Sequence, residues 1–419
     1  MKTFNKLFFL NFLVFGALIT GCASSGSYKT SLEVEPSGGD WFGVPGSDSY
    51  DIEGGEPSGS TEKGEGEGEE PFVIPSGQLT CSALDDNKYY DYWKSLSVSN
   101  QEGEGIFQSY RKDFAFDTFN RLHLNIVNGN NIKVRLNEEN APYFHVDNLN
   151  EVNLFLKESK EEYEVEISYL DKNNEEQKVV KTVKDNDEID LKNEKNIVNN
   201  LEIMFVIDAT GSMGDEIWYI KAEIDDVISK VKENNEEVNL TLAIMMYRDI
   251  GDEYVTRYSD FSKDIAKQQE FLKAQSANGG GDFEEAVDVA LMEAMNKQWS
   301  SNSTKLLFHV ADAPSHDEDV TKWNESAMKA AEMGIKIITV ASSGINKKTE
   351  YFFRSQSLLT SGQYVYLTDD SGIGFAHLEA TVEEKLVVEY LNDCLIRLIN
   401  GYYSGEFTDP IPYNQNQQQ

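Results

Sequence analysis

The sequence predicts an α/β protein with a doubly wound, mostly parallel sheet covered by helices on both faces, preceded by a smaller all-β sandwich-like region. From about residue 200 onward, short apolar stretches alternate with segments of helical periodicity. The stretch 201–207 is apolar except for Glu202, which is typical of a strand buried on both faces. Between about residues 84 and 191, apolar and polar residues alternate in short runs separated by Asn/Gly turns, which favours an antiparallel sandwich.

The N-terminal residues have the pattern of an export signal. Lys2 and Lys6 precede an apolar stretch at 7–19, which is short for a transmembrane span. The residues Ile19-Thr20-Gly21-Cys22 resemble the bacterial lipobox, which implies that residues 1–21 are a lipoprotein signal peptide and that Cys22 is lipidated. We therefore expect a lipid-anchored protein of the bacterial cell envelope, at the outer membrane or cell surface. The alternative is an ordinary cleaved signal with an incidental cysteine.

The net charge of −36 disfavours nucleic acid as a partner, because the protein would repel its phosphates. Residues 22–80 are rich in Gly, Ser and Glu, and we expect a disordered acidic tether there. An oxidising location permits a disulfide between Cys81 and Cys394. Cys394 lies on an apolar helical face, however, which favours a buried free thiol.

The predicted domains follow these changes of pattern. Residues 81–195 form the β-sandwich-like accessory domain, residues 200–403 the α/β domain and residues 404–419 a disordered tail. The expected strands of the α/β domain are 201–207, 238–247, 254–258, 306–311, 335–341 and 364–367. The expected helices begin near residue 214 and continue at 265–274, 283–295, 320–333, 349–359 and 381–399.

Polar side chains follow the first strand of the α/β domain. Asp208, Thr210 and Ser212 come at alternate positions directly after it, where open α/β sheets place their binding crevice. One carboxylate and two hydroxyls suit a hard divalent cation such as Mg²⁺. Another apolar strand ends at Asp312 in the same way, so Asp312 is expected at the same edge of the sheet. The alternative is an Asp208 that only caps the next helix.

The motif Asp208-Ala209-Thr210-Gly211-Ser212 resembles the metal-ion-dependent adhesion site of von Willebrand factor type A domains, in particular the hemicentin and alpha-kinase-associated branch. The likeness continues through Tyr247-Arg248-Asp249, Gly279-Gly280-Gly281-Asp282 and Val310–Pro314, and it spans about residues 200–403. It implies Mg²⁺, or Mn²⁺ or Ca²⁺, held by Asp208, Thr210, Ser212 and Asp312.

The middle loop departs from the family, which commonly supplies a Thr there. Asp282 is the available oxygen donor in the loop, and it is predicted either as a direct metal ligand or as a cap of the following helix. Asp249 is predicted to lie behind the direct ligands, although a plain surface position is equally compatible with the sequence.

The resemblance implies a binding module and not an enzyme. An Asp or Glu carboxylate of a protein ligand would complete the coordination of the cation, as in adhesion or envelope assembly. Two alternatives stay open. The first is an aspartyl-phosphate-type phosphotransferase or hydrolase, because the motif echoes Asp-x-Thr-Gly-Thr; such an enzyme needs a nearby Lys and a second paired-Asp motif. The second is a structural domain in which the metal only stabilises loops.

Overall fold

The computed structural model describes residues 74–414, apart from 100–102, 115, 117, 195–198 and 235–236. The predicted signal peptide, Cys22, nearly all of the predicted tether and the end of the predicted tail lie outside the described residues. The described residues belong to one compact unit. Among them, none of the helices combines the length and the apolarity needed to cross a bilayer.

The first half of the described chain is rich in strands. It contains β1 (Thr80–Leu84), α1 (Tyr90–Leu96), α2 (Gln108–Asp113), β2 (Arg121–Val127), β3 (Asn130–Leu136), β4 (Phe144–His145), β5 (Glu151–Phe155), β6 (Tyr163–Leu170), β7 (Glu176–Val183) and β8 (Asp187–Asp190).

The second half alternates strands and helices. It contains β9 (Asn200–Asp208), α3 (Ile217–Asn234), β10 (Asn239–Tyr247), β11 (Thr256–Ser262), α4 (Ile265–Lys273), α5 (Val287–Met295), β12 (Thr304–Ala311), α6 (Val320–Met333), β13 (Ile335–Ala341), α7 (Lys347–Leu359), β14 (Tyr364–Leu367), β15 (Glu389–Tyr390) and α8 (Leu391–Ser404).

The large sheet has the order β11-β10-β9-β12-β13-β14-β1-β15. The five strands from β10 to β14 in this order are parallel to their neighbours, whereas β11, β1 and β15 pair antiparallel. Side chains alternate across β9: Ile203 and Phe205 pack in the layer of α3, α4 and α8, while Met204 and Val206 pack in the layer of α5, α6 and α7. The predicted fold class, a mostly parallel sheet with helices on both faces, is confirmed.

The β-rich region between β2 and β8 consists of a three-stranded sheet, β5-β2-β8, and a four-stranded sheet, β4-β3-β6-β7. Inward-facing apolar residues of both sheets form its core, as the period-two pattern predicts. One pair, β2 and β8, is parallel. Lys336 of β13 forms a 2.8 Å ion pair with Asp147, so this region packs against the α/β part of the chain.

The N-terminal boundary of the α/β part differs from the prediction. Residues 81–84 fall within the predicted β-sandwich-like domain, but they belong to β1, which lies in the large sheet between β14 and β15. Trp93 of α1 stacks on Tyr351 of α7, with ring centroids 5.9 Å apart. The segment before β2 therefore packs with the α/β part, because its aromatic residues contribute to that core.

The closing helix also differs from the expectation of a helix over 381–399. The observed α8 begins at Leu391, because the preceding residues Glu389 and Tyr390 pair with β1 instead. The Leu391 N–H donates to the Leu79 carbonyl at 2.9 Å, which fixes the start of the helix beside the sheet.

A buried arginine joins the segment after β1 to α7. The Arg354 guanidinium is fully buried and donates to both carboxylate oxygens of Asp86, at 2.9 and 2.6 Å. It also donates to Glu350 at 2.9 Å and to the Thr381 carbonyl at 2.8 Å. Its removal would leave the buried Asp86 without this counter-charge, while Glu350 would keep its 2.6 Å ion pair with Lys347.

We predict that Arg354→Met lowers the free energy of unfolding by about 3–5 kcal/mol, the usual cost of breaking a buried ion pair. The matched control is Arg257→Met, which removes an exposed pair with Glu253 and should cost about 1 kcal/mol or less. Urea unfolding of the chain measures both. Equal losses in the two variants would contradict a special role for the buried network.

Candidate metal centre

The site lies at the carboxyl end of the parallel strands. In β9 the last residue is Asp208, paired with Tyr247 of β10. On the other side, Val310 of β12 pairs with Ile207, so Asp312 follows two residues beyond that point. Because neighbouring parallel strands end at the same edge, Asp208 and Asp312 are brought to one side of the sheet, as the sequence predicts.

The turn after β9 positions the hydroxyl groups. Asp208 Oδ1 accepts hydrogen bonds from the Thr210 N–H at 2.9 Å and from the Thr210 hydroxyl at 2.7 Å. The Thr210 hydroxyl lies 3.1 Å from Ser212 Oγ. Asp208 and Thr210 are fully buried, whereas Ser212 is exposed at the start of a 3₁₀ turn over Gly211–Asp215. The site therefore opens to solvent at Ser212.

The glycine run lies directly against this turn. The Gly211 N–H donates to the Gly279 carbonyl at 3.1 Å. At Gly280, which has φ +76°, a Cβ would lie 3.1 Å from Glu285 Oε1 and 3.4 Å from Thr210 Cβ. A side chain there would be both strained and crowded, so the glycine permits the close approach of the two loops.

Glu285 is a site residue that the sequence analysis missed. It is 2% exposed, and its backbone N–H donates to the Pro314 carbonyl at 2.9 Å. Its carboxyl group lies beside Gly280, as Thr210 does, and is repelled by Asp208 and Asp312. The sequence carries little signal for this role, since Glu284-Glu285 looks like the acidic first turn of the predicted helix 283–295. In the structure that helix begins only at Val287.

Three buried carboxylate oxygens in this group have no hydrogen-bond partner among the described residues: Asp208 Oδ2, Glu285 Oε2 and Asp312 Oδ1. Burial, and then repulsion from Asp208, raises the pKa of Asp312 to about 8 and that of Glu285 to about 9. Burial raises the pKa of Asp208 to about 6. Buried polar atoms are normally paired, so a positively charged group close to these three oxygens would stabilise them.

A divalent cation fits this set of donors. Carboxylate and hydroxyl oxygens are the ligands that Mg²⁺, Mn²⁺ and Ca²⁺ prefer. A cation would also offset the burial and the mutual repulsion that raise the pKa of these carboxyl groups. The residues that could hold it are Asp208, Thr210, Ser212 and Asp312, with Glu285 beside them.

Asp282 belongs to a neighbouring cluster. It is exposed. A carboxylate oxygen of Asp282 lies within 4.8 Å of a carboxylate oxygen of Asp249 and of a ring nitrogen of His316. His316 Nε2 is 3.0 Å from Asp249 Oδ1, and this hydrogen bond raises the pKa of His316. The helix-cap alternative for Asp282 is wrong, because the residue preceding α5 is Ala286 and no side chain caps that helix.

A buried arginine that the sequence analysis did not interpret holds the loops of the site together. Arg248 Nε donates to the Ala209 carbonyl and Nη2 to the Ser276 carbonyl, both at 3.0 Å. It thus joins the turn after β9 to the segment that leads into the glycine run. The sequence signal for Arg248 is the tripeptide Tyr247-Arg248-Asp249, in which only Asp249 is predicted as a site residue.

The loop after β14 packs on the far end of the 3₁₀ turn. His377 Nε2 is 2.7 Å from Glu216 Oε1, and its Nδ1 is 2.8 Å from Asp369 Oδ1. The Phe375 N–H donates to Asp215 Oδ2 at 2.8 Å. These contacts place Phe375 close to the turn that carries Ser212.

Residues 202–378 match the family model described as von Willebrand factor A domain, so the chain contains a domain of this kind. Such domains generally mediate protein–protein interaction or adhesion and are typically not enzymes.

The chain is 27% identical over 171 residues to the alpha-protein kinase vwkA of Dictyostelium discoideum, covering 40% of this chain and 27% of the kinase. It is 26% identical over 188 residues to the putative ariadne-like RING finger protein R811 of Acanthamoeba polyphaga mimivirus, covering 40% of this chain and 18% of that protein. The chain thus spans about a quarter or less of these relatives.

Among solved structures, the SpRpn10 VWA domain is similar with a TM-score of 0.30 and 13% identity, covering 40% of this chain and 87% of that one. The pilus adhesin SpaC from Lactobacillus rhamnosus GG, in its open conformation, has a TM-score of 0.32 and 11% identity, covering 55% of this chain and 31% of that one.

The raised pKa values predict a pH-dependent response to metal. Without a cation, the folded protein holds protons that the unfolded chain loses above about pH 4, so its stability falls as pH rises from about 4 toward 9. Mg²⁺ competes with those protons. Saturating Mg²⁺ should raise the melting temperature by roughly 3–6 °C at pH 8 and by less than half of that at pH 6. Thermal unfolding measures this, with NaCl at matched ionic strength as the control. An equal or larger rise at pH 6 would contradict binding at these carboxyl groups.

The isosteric variants Glu285→Gln and Asp282→Asn separate the buried group from the neighbouring cluster. We expect Glu285→Gln to weaken Mg²⁺ binding by about 10–100-fold and to stabilise the metal-free protein at pH 8, because folding no longer requires a buried carboxyl group to take up a proton. Asp282→Asn should change Mg²⁺ affinity by about threefold or less, because exposed charges are screened. Calorimetric titration gives both affinities. A greater loss in Asp282→Asn would identify Asp282 as the direct ligand.

Proposed function

We propose that this chain is a protein-binding module whose ligand contributes an Asp or Glu carboxylate to a divalent cation, Mg²⁺ or else Mn²⁺ or Ca²⁺. Asp208, Thr210, Ser212 and Asp312 hold the cation, and Glu285 contributes negative charge beside them. The observation that carries the proposal is a set of three buried carboxylate oxygens, without partners among the described residues, near the exposed Ser212. Asp249 and Asp282 contribute charge from the neighbouring cluster.

The burial of the donors supports an incomplete coordination shell. Asp208, Thr210, Glu285 and Asp312 are each 5% exposed or less, so they enclose the cation from the protein side. The exposed Ser212 leaves the solvent side open. A ligand oxygen can therefore reach the cation only from outside, which suits a side chain presented by another protein.

Apolar side chains near the opening support a protein as the ligand. Ile250 follows Asp249 and is 62% exposed, and Phe283 follows Asp282 and is 38% exposed. On the other side, Phe375 is 74% exposed and is held at the 3₁₀ turn through its backbone. Exposed apolar residues around a polar centre are typical of interaction surfaces. The ligand we infer is a carboxylate flanked by apolar residues.

Two electrostatic effects oppose each other in this proposal. The net charge of −36 repels an acidic ligand at long range. At physiological salt the Debye length is about 8 Å, so distant surface charge is largely screened once the partner docks. Direct coordination of a carboxylate to the cation is screened much less. Association should therefore accelerate with added salt, opposite to a pair that is steered by attraction.

The phosphotransferase alternative receives less support from the sequence. Such an enzyme needs a nearby Lys to neutralise phosphate, and the motif at 208–212 contains none. The alternative of a metal that only stabilises loops remains compatible with the same donors and is distinguished by the binding experiment below. We further propose anchoring in the bacterial envelope through lipidated Cys22, which rests on the pattern of residues 2–22.

We predict that the chain captures a protein from an envelope extract in Mg²⁺ or Mn²⁺, and that EDTA reduces the capture at least tenfold. Ser212→Ala should lose the capture while remaining folded, because one oxygen donor at the opening is removed. The matched control is Ser301→Ala, an exposed serine in the segment before β12, which should bind normally. Quantitative pull-down followed by mass spectrometry measures all of these.

The same experiment distinguishes the alternatives. Capture that persists in EDTA and in folded Ser212→Ala would place the binding surface elsewhere and leave the metal with a structural role. The variant Ile250→Ser leaves the proposed ligands intact, so it should keep its response to Mg²⁺ and lose part of the capture.

A further inference from the structure

Two cysteines lie in the same apolar layer between β1 and α8. The Leu79 carbonyl accepts a hydrogen bond from the Leu391 N–H at 2.9 Å, which fixes the strand beside the start of the helix. Cys81 is two residues beyond Leu79 on the same face of its strand, and Cys394 is one turn beyond Leu391 on its helix. Both cysteines are fully buried and belong to one core cluster.

Further contacts connect the two thiol groups. Glu389 of β15 pairs opposite Cys81, and its carboxylate binds Arg397 of α8. Arg397 Nη2 donates to Cys394 Sγ at 3.8 Å. Burial and the neighbouring Cys394 thiol both raise the pKa of the Cys81 thiol. Cys81 is thus paired with Glu389 through the backbone, and Cys394 is connected to Glu389 through Arg397, so both cysteines lie beside the same residue.

We infer that Cys81 and Cys394 form a disulfide when the chain folds in an oxidising environment. The oxidant is a low-molecular-weight disulfide such as oxidised glutathione. One protein thiolate attacks a sulfur of the oxidant, forms a mixed disulfide and releases one thiolate of the reagent. The second protein thiolate then attacks the protein sulfur of that mixed disulfide and releases the other. The two protons lost by the cysteines neutralise the released thiolates, and the reagent accepts two electrons.

We expect the disulfide to form while the two cysteines are still accessible to the oxidant. In the folded protein both sulfurs are inaccessible to solvent, and burial raises the pKa of the Cys81 thiol well above its ordinary value. A thiol that is protonated and covered attacks a disulfide slowly. Oxidation therefore accompanies folding, or it requires opening of the short strand β15 beside β1.

The bond would secure the point at which the chain enters the large sheet. The N–H groups of residues 77–79 donate to the Glu223 carboxylate of α3, at 2.7, 2.7 and 3.1 Å, so the start of β1 is already held there. A disulfide at Cys81 adds a covalent tie to the last helix. It encloses nearly all of the described chain, and long loops lose the most unfolded-state entropy in the chain-entropy model.

The test uses the full chain carrying Cys22→Ala, which leaves only the two cysteines in question. The protein is unfolded in reductant and refolded either with a mixture of oxidised and reduced glutathione or with dithiothreitol. With glutathione we expect the intact mass to fall by two hydrogen atoms, and a peptide linking residues 81 and 394 in a non-reducing digest. The melting temperature should exceed that of the reduced protein by about 5 °C or more.

The control variants add Cys81→Ala or Cys394→Ala to the same background. Each is compared with itself, oxidised against reduced, so the cost of the cavity left by the substitution cancels. Neither should lose mass or respond to dithiothreitol. Two thiols that stay alkylatable after refolding with glutathione, glutathione adducts persisting on both cysteines, or disulfide-linked dimers in place of the internal link would each overturn the inference.

Discussion

The repulsion among buried carboxylates at the carboxyl edge of the sheet is the constraint on which the rest of the site depends. Asp208, Glu285 and Asp312 come from three separate segments, and each has an oxygen without a partner among the described residues. Such a group is costly unless a positive charge is close by. The surrounding loops keep these carboxyl groups close together. Arg248 joins the turn after β9 to the segment before the glycine run, and Gly280 permits close contact between the two loops.

The same loops separate two kinds of acidic group. Asp208, Glu285 and Asp312 are buried, and each has one oxygen without a partner among the described residues. Asp249 is half-buried and Asp282 is exposed, and the His316 imidazole hydrogen-bonds Asp249. Buried groups gain from a cation, since water cannot solvate them. Exposed groups are solvated without one. Position within the loops, more than the number of acidic residues in the sequence, decides which oxygens would gain most from a cation.

Much of the fold could be predicted because a strand that is buried on both faces has a nearly continuous apolar sequence. The apolar stretch 201–207 became β9, Asn200–Asp208, and the hydroxyl motif after it occupies the expected edge. The boundary of the β region could not be predicted, since β1 has only five residues and pairs with strands more than 270 positions away. Glu285 was missed for a similar reason: its burial depends on the Pro314 contact, which no local pattern encodes.

The position of β1 makes the α/β domain discontinuous in sequence. The β-rich region from β2 to β8 is an insertion between the strand β1 and the strand β9 of one sheet. A fragment that starts at residue 200 would lack β1 and would leave unpaired edges on β14 and β15, which favours aggregation. The sheet also cannot be completed until the last strand has left the ribosome. The described residues therefore form one folding unit with a long inserted region.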